Sequence, residues 1–145
     1  MKSEFNKPKI ILDTKPLIKL FAQEEGWRFV QEILLRIEAG EIKASISVVT
    51  LTEIYYKYMQ EGRVDLAKAR IESLRYAVYI EKAQINEETA VKAGEFKAKY
   101  DISIADAFIA ATAYLKSSIV ISDDPDFKKI KEIEALSEEE FAKKL

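Results

Sequence analysis

The sequence predicts an α/β protein of three layers, in which helices cover both faces of a mostly parallel central sheet. Short apolar runs alternate along the chain with longer segments of helical periodicity, and this order is typical of parallel sheets. Residues that favour helix starts directly follow several of these runs. With 145 residues and 48% hydrophobic content, the chain has the size of one ordinary domain. We therefore expect a single domain over residues 1–145, with right-handed crossovers between its strands.

The individual elements follow from local patterns. Predicted strands are the apolar runs at 9–13, 42–46, 77–80 and 119–121, with a short strand near Ile133. Predicted helices carry apolar residues at helical spacing and cover the region after Thr14, 27–37, the region from Ser47 to Gly62, 64–75, 86–100, 103–115 and a terminal segment after Ser137. Pro16 marks a first turn, Ser47 is a helix cap, and Ser137 with Glu140 predicts a capping box.

The chain contains neither cysteine nor histidine. The lack of cysteine excludes disulfides, thiolate zinc sites and cysteine nucleophiles. The lack of histidine excludes Ser-His-Asp triads, imidazole bases and histidine zinc sites. Any hydrolytic chemistry must therefore depend on carboxylates, lysine, hydroxyls or a bound metal.

The charge balance limits how the protein could bind nucleic acid, and the polar N-terminus bears on its cellular location. The net charge is −2, from 23 basic and 25 acidic side chains, so no overall basic field attracts nucleic acid. An RNA partner would need a local basic rim or a bridging cation. Residues 1–9 are polar, and no apolar stretch approaches the roughly 18 residues of a membrane span. We expect a cytoplasmic protein with no membrane association.

Four acids stand where predicted strands end or predicted helices run: Asp13, Glu53, Asp106 and Asp124. Taken singly, each has an ordinary structural explanation. Asp13 and Asp124 are good helix caps, and Asp106 lies three residues after Ser103, as in a capping box. The ordinary explanation of Glu53 is a solvated helix charge.

Two of these acids have mostly apolar neighbours. Glu53 shares a helical face with Val49 and Tyr56, and Asp106 lies within the apolar run 104–111. A desolvated carboxylate needs a partner. Because parallel strands end at one edge of a sheet, the four acids are expected to converge there, as oxygen ligands of the kind that Mg²⁺ and Mn²⁺ prefer. A bound cation would supply the missing partner.

Four segments of the chain resemble the four motifs of PIN domains, in the same order and at similar spacing. They are ILDT at 11–14, SVVTLTE at 47–53, SIADAFIAATA at 103–113 and ISDDPDF at 121–127. The third is the most distinctive, because its acid is embedded in a helix rich in alanine and threonine. The resemblance covers nearly the whole chain and implies a PIN-like fold.

The resemblance also implies a function: a divalent-metal-dependent endoribonuclease that hydrolyses RNA phosphodiesters with Mg²⁺ or Mn²⁺. It implies Asp13, Glu53, Asp106 and Asp124 as catalytic metal ligands, with Asp126 as an accessory acid. Within this set we assign Asp13 and Asp106 to the primary metal. Glu53 is assigned to ligation directly or through water, and Asp124 to a second ion or the attacking water. Members that resemble this chain are mostly endoribonucleases, often paired with a small antitoxin, which implies a VapC-type toxin and a small VapB-like antitoxin partner.

Two positions depart from the pattern of the family. Lys15 stands where a small polar residue is more common, and its ammonium is suited to replace a second cation or to bind phosphate. Asp123 adds a charge beside Asp124, and the spacing to Phe127 favours Asp124 as the inward-pointing acid. The candidate basic rim for RNA consists of Lys15, Lys19, Lys57, Lys128 and Lys129.

Two other functions compete with this one. A phosphatase that forms a phospho-aspartate would use Asp13 as nucleophile, but it requires an acid two residues later, where Lys15 stands. The stronger alternative is a PIN-like module with a weakened site that binds RNA or a protein partner. Cleavage of RNA that a chelator stops would discriminate these functions.

Apolar residues in the middle of the chain predict a homodimer. The segment 55–59 contains three tyrosines, and the next helix carries Leu66, Ile71 and Leu74. Together they offer more apolar surface than a small sheet should cover. Ordinary core packing is an equally open explanation.

Overall fold

A computed structural model describes residues 6–145 of the chain. In chain order, its strands are β1 (Lys9–Leu12), β2 (Lys43–Ser47), β3 (Ile80–Ala83), β4 (Ile119–Ile121) and β5 (Ala135–Leu136). Its helices are α1 (Thr14–Ala22), α2 (Trp27–Glu38), α3 (Val48–Gln60), α4 (Val64–Tyr76), α5 (Glu87–Lys99), α6 (Ile104–Lys116) and α7 (Glu138–Ala142), with a 3-10 helix over Pro125–Lys129. The strands form one sheet in the order β3-β2-β1-β4-β5, and all neighbouring strands are parallel.

Side chains of β1 point alternately into two hydrophobic cores. Ile10 and Leu12 belong to one core, and Ile11 belongs to the other. The first core is completed by residues of α1, α2, α3, α4 and α7, and the second by residues of α5 and α6. Helices therefore cover both faces of the sheet, and the predicted three-layer α/β/α architecture is confirmed.

The order of strands reverses next to β1. The chain runs from β1 through β2 to the β3 edge, and then returns to place β4 on the other side of β1. Leu12 and Ile121 are partners in this parallel pairing, so the carboxyl ends of β1 and β4 lie side by side. Such a switch point opens a crevice at the carboxyl edge of a parallel sheet, where ligands usually bind.

The alanine-rich helix α6 brings its first turn to the same edge. It buries Ala107, Ala110 and Ala111 against the second core and contacts β1, β2 and β4. Small side chains allow the helix to lie close to the sheet. Because α6 leads into β4 after a short turn, it runs antiparallel to that strand and begins at the carboxyl edge.

Local signals placed most helix ends within one or two residues, but two strand predictions were wrong in position. The predicted strand at 77–80 is largely a turn, in which the side chain of Val78 is 87% exposed. The strand itself is β3, shifted toward the polar pair Glu81 and Lys82. An edge strand tolerates polar residues because only part of it is covered. The strand predicted near Ile133 is β5, which begins two residues later, and both Ile133 and Ala135 pack against the second core.

No helix within residues 6–145 is long and apolar enough to cross a membrane. The apolar segment behind the dimer prediction divides into two groups. Tyr58 and Leu74 are buried in the first core, so that part of the prediction is explained by ordinary packing. Leu66 packs against the same core. The other apolar residues of the segment line a shallow apolar groove between α3 and α4, which is formed by Leu51, Thr52, Tyr55, Tyr56, Met59 and Ile71.

The homodimer stays a prediction, and this α3/α4 groove is the surface that we expect it to use. Met59→Glu places a charge on the groove and should convert a dimer at high micromolar concentration to a monomer in light scattering. Val91→Glu is the matched control, because Val91 is 65% exposed on α5 in the opposite layer. A monomeric parent protein, or a Met59→Glu protein that stays dimeric, would contradict the prediction.

Candidate metal centre

Acidic side chains gather where β1, β4 and α6 meet. Asp13 directly follows β1, and Asp124 follows β4 by three residues. Asp106 lies in the first turn of α6. Glu53 is carried by α3, the helix that directly follows β2. The switch point of the sheet and the start of α6 therefore bring these four sequence-predicted acids to one edge.

Asp13 is a buried carboxylate, with 4% of its surface exposed. Its Oδ1 accepts from the N–H of Thr14 at 2.8 Å, so it caps α1 as a helix signal would predict. Its Oδ2 accepts from the hydroxyl of Ser122 at 2.7 Å. The two bonds fix the carboxylate between the ends of β1 and β4.

Glu53 is oriented by a hydroxyl from the neighbouring helix. Thr14 donates its Oγ1–H to Glu53 Oε1 at 2.6 Å and lies 3.1 Å from the hydroxyl of Thr50. Thr14 and Thr50 are both buried. The residue that follows Asp13 thus holds the acid of α3 in place.

The tightest group of acids consists of Asp106, Asp124 and Asp126. Each offers one carboxylate oxygen, and these oxygens lie within 4.8 Å of one another. Asp124 accepts from the N–H of Asp126 at 3.0 Å and so caps the 3-10 helix, while its own N–H donates to Ser122 at 3.1 Å. The Asp124 carboxylate therefore both caps a helix and belongs to the acidic group. Asp126, the accessory acid of the sequence pattern, belongs to this group, whereas Asp13 and Glu53 lie outside it.

Burial and the proximity of these acids raise the pKa values of Asp106 and Asp13. Burial, and then the negative charges of Asp13, Asp124 and Glu53, raise the pKa of Asp106 to about 7. Burial raises the pKa of Asp13 to about 6, with smaller contributions from Glu53 and Asp124, although hydrogen bonds from Ser122 and Thr14 oppose the shift. All four sequence-predicted acids thus interact electrostatically, and their charges repel.

The lysines of the candidate basic rim form ion pairs with acidic side chains. Each member of the candidate basic rim has its ammonium within 4.0 Å of a carboxylate oxygen: Lys15 of Asp124, Lys19 of Asp123, Lys57 of Glu61, Lys128 of Glu140 and Lys129 of Asp126. The Lys15 contact is the longest, at 4.0 Å. Asp123 points to Lys19, while its neighbour Asp124 joins the acidic group.

Sequence reasoning missed the hydroxyls that position the acids. The sequence indicates Thr14 only as a helix start and a member of the motif at 11–14, and Ser122 only as a member of the motif at 121–127. Both are buried and bond directly to a carboxylate of the edge. The available signal was a hydroxyl residue beside an acid at the end of an apolar run, but such pairs are common in loops.

Comparison with known families agrees with this arrangement. The profile of the PIN domain family matches residues 10–133. The chain belongs to the PIN domain family. No curated protein sequence matches this PIN domain. The match includes all five acids of the edge, from the end of β1 to the 3-10 helix.

Several solved structures share the fold of this PIN domain. VapBC2 from Rickettsia felis, bound to a DNA fragment from its promoter, has a TM-score of 0.73 at 15% identity, over 89% of this chain and 98% of that chain. A toxin-antitoxin complex from Klebsiella pneumoniae has a TM-score of 0.65 at 22% identity, over 89% and 97%. VapC20 from Mycobacterium tuberculosis, a toxin that cleaves the sarcin-ricin loop, has a TM-score of 0.68 at 18% identity, over 83% and 93%.

Repulsion among the acids predicts that removal of one negative charge stabilises the metal-free protein. Asp106→Asn nearly preserves the shape of the side chain and removes one charge, so the metal-free protein should become more stable, by a Tm increase of roughly 3 °C for each ~1 kcal/mol gained. The measurement is calorimetry in the presence of a chelator. Asp65→Asn is the matched control, since Asp65 also lies in a first helical turn but is 82% exposed. Its replacement should lower the Tm slightly, because an acid there favours the helix dipole.

The same substitution should have a pH-dependent effect. The pKa of Asp106 is raised to about 7 in the folded protein, so the folded state holds this proton at pH values where the unfolded chain has lost it. Stability from this group is therefore lost as pH rises from about 4 to about 7. The advantage of Asp106→Asn should be larger at about pH 8 than at about pH 5. A variant that is less stable than its parent at both pH values would contradict the electrostatic account.

Proposed function

We propose that this PIN domain is a divalent-metal-dependent endoribonuclease and the toxin of a VapBC-type toxin-antitoxin pair. The observation that carries the proposal is the convergence of five carboxylates at the switch point of the sheet, three of them with oxygens within 4.8 Å. In the absence of a cation, this arrangement raises pKa values and opposes folding. A site that costs stability is a candidate for function.

The donor set fits Mg²⁺ or Mn²⁺. It consists of carboxylate oxygens, the hard ligands that these cations prefer, and the chain has no histidine or cysteine to favour zinc. We propose Asp106, Asp124 and Asp126 as the nearest ligands, with Asp13 and Glu53 completing the site directly or through water. Protons compete with the metal for acids of raised pKa, so affinity should increase from about pH 6 to about pH 8.

A bound divalent cation would lower the pKa of a water molecule and stabilise negative charge on the phosphate and the departing oxygen. The protein supplies the fixed positions of its ligands. Ser122 and Thr14 hold the Asp13 carboxylate by two hydrogen bonds, and Thr14 orients Glu53. Removal of a hydrogen bond that orients a metal ligand typically lowers metal affinity or activity by about 10–100-fold. We propose that Lys15, whose ammonium lies 4.0 Å from Asp124 Oδ2, contacts a substrate phosphate.

The direct test is cleavage of single-stranded RNA with Mn²⁺ or Mg²⁺ and its loss with a chelator. Asp13→Asn should reduce cleavage at least about 100-fold, because it removes a charge from the site. The amide oxygen can still accept from the Thr14 N–H, and the amide NH2 then stands beside the Ser122 hydroxyl, which accepts instead of donating. Asp65→Asn, remote from the edge, should cleave like the parent protein. Cleavage that resists chelation, or that Asp13→Asn leaves intact, would contradict the proposed chemistry.

The toxin role is supported by the fold shared with VapBC complexes. We expect a small adjacent reading frame that encodes a DNA-binding start and an amphipathic tail. Co-expression of that protein should yield a complex, and the complex should lose RNA cleavage while the separated PIN domain regains it. A neighbouring protein that binds without affecting cleavage would argue against the antitoxin pairing.

One observation favours the alternative of a weakened module. The ammonium of Lys15 lies 4.0 Å from Asp124 Oδ2, where it offsets part of the charge that a second cation would neutralise. A protein that binds RNA and Mn²⁺ but does not cleave would support that alternative. Lys15→Asn, which restores the small polar residue common in the family, should then create or increase cleavage.

A further inference from the structure

Lys19 links the candidate metal centre to the last helix of the chain. Its ammonium, on α1, bonds to Asp123 Oδ2 at 2.5 Å and to Glu138 Oε1. The side chain of Lys19 is 19% exposed and that of Glu138 only 3%. Asp123 lies between Ser122 and Asp124, in the turn that leaves β4. One partly buried cation therefore holds two acids from different elements.

We propose that Lys19 is a positioning residue that fixes the turn 122–124 and thereby orients the Asp124 carboxylate. The inference rests on the proposed nuclease function for its effect on cleavage. Its structural part, the restraint of the turn, stands on the contacts of Lys19 alone.

The Ser122 N–H donates to the Leu136 carbonyl at 2.9 Å, which fixes the start of the turn. Beyond that point the turn needs a further restraint, because the side-chain hydrogen bonds of Ser122 and Asp124 lie within the metal centre. The Ser122 hydroxyl donates to Asp13 and accepts from the N–H of Asp124, and Asp124 accepts from Asp126. These bonds join acids that repel one another, so they oppose a force that would spread the turn. Holding the intervening Asp123 from outside restrains the backbone dihedrals on both of its sides. Among residues 6–145, Lys19 is the residue that bonds to the Asp123 side chain.

The other end of the link is a helix start that is capped and packed against the first core. Glu138 begins α7, which has a capping box between Ser137 and Glu140 and inserts Phe141 into the first core. Bonds to Asp123 and Glu138 outweigh the effect of burial and raise the pKa of Lys19, so it stays charged. A cation held between a fixed helix and a turn transmits the position of the helix to the turn.

Lys19 also neutralises buried Glu138, so a purely structural role must be separated from positioning. Lys19→Met alone leaves a buried carboxylate without a partner and can unfold the protein. The informative variant is Lys19→Met combined with Glu138→Gln, which removes both charges. Glu138→Gln alone keeps the bond from Lys19 to Asp123. Lys116→Met, which breaks an ion pair with Glu81 at the opposite edge of the sheet, is the matched control.

Two measurements test the proposal. In the metal-free protein, hydrogen exchange at the Asp124 and Asp126 amides should be at least about tenfold faster in the double variant than in Glu138→Gln. In RNA cleavage with Mn²⁺, kcat of the double variant should fall about 10–100-fold with little change in KM. Glu138→Gln and Lys116→Met should resemble the parent protein in both measurements.

The outcomes separate this proposal from the nuclease proposal. A double variant with parental exchange, or with faster exchange and parental kcat, overturns the positioning role and leaves Lys19 as the neutralising partner of Glu138. If the parent protein does not cleave RNA at all, the nuclease function fails. In that case a slow, unchanged exchange rate in the double variant overturns the restraint of the turn, and faster exchange supports it.

Discussion

Repulsion among carboxylates at the carboxyl edge of the sheet is the constraint on which the site depends. Asp13, Glu53, Asp106 and Asp124 meet at this edge, and burial together with the charges of the other three acids raises the pKa of Asp106 to about 7. Hydrophobic burial on both faces of the sheet supplies the opposing free energy. The hydroxyls of Thr14 and Ser122 hold the acids against this repulsion. A divalent cation would turn the same arrangement into a stabilising one.

The fold was largely predictable because each element has a local signal. Apolar runs identify the inner strands, and Ser47, Ser103 and Ser137 cap their helices as their positions predict. The failures lie at the β3 and β5 edges. There the pairing partner decides which residues form the strand, and a single sequence does not contain that pairing. Hydrophobic periodicity is thus sufficient to predict the buried helices and strands, and insufficient to predict the bounds of partly covered edge strands.

The candidate site was predictable to a smaller extent. Glu53 and Asp106 were identifiable because their sequence neighbours are mostly apolar, and Asp13 and Asp124 because they follow predicted strands. Their neighbours were not predictable in the same way. The contacts of Thr14, Ser122 and Lys19 join residues 39, 109 and 119 positions apart, and nothing in their local sequence specifies such partners. The mixture of capping and clustering in one carboxylate also explains why each acid taken singly has an ordinary structural role.

The most direct test of the central claim is the location of a cation in crystals. Crystals soaked with Mn²⁺ and measured at the manganese absorption edge should show anomalous density between the carboxylates of Asp106, Asp124 and Asp126. The density should disappear in Asp106→Asn. An empty edge in crystals that hold Mn²⁺ at other surface acids would contradict the account, and the converging carboxylates would then have no cation to explain them.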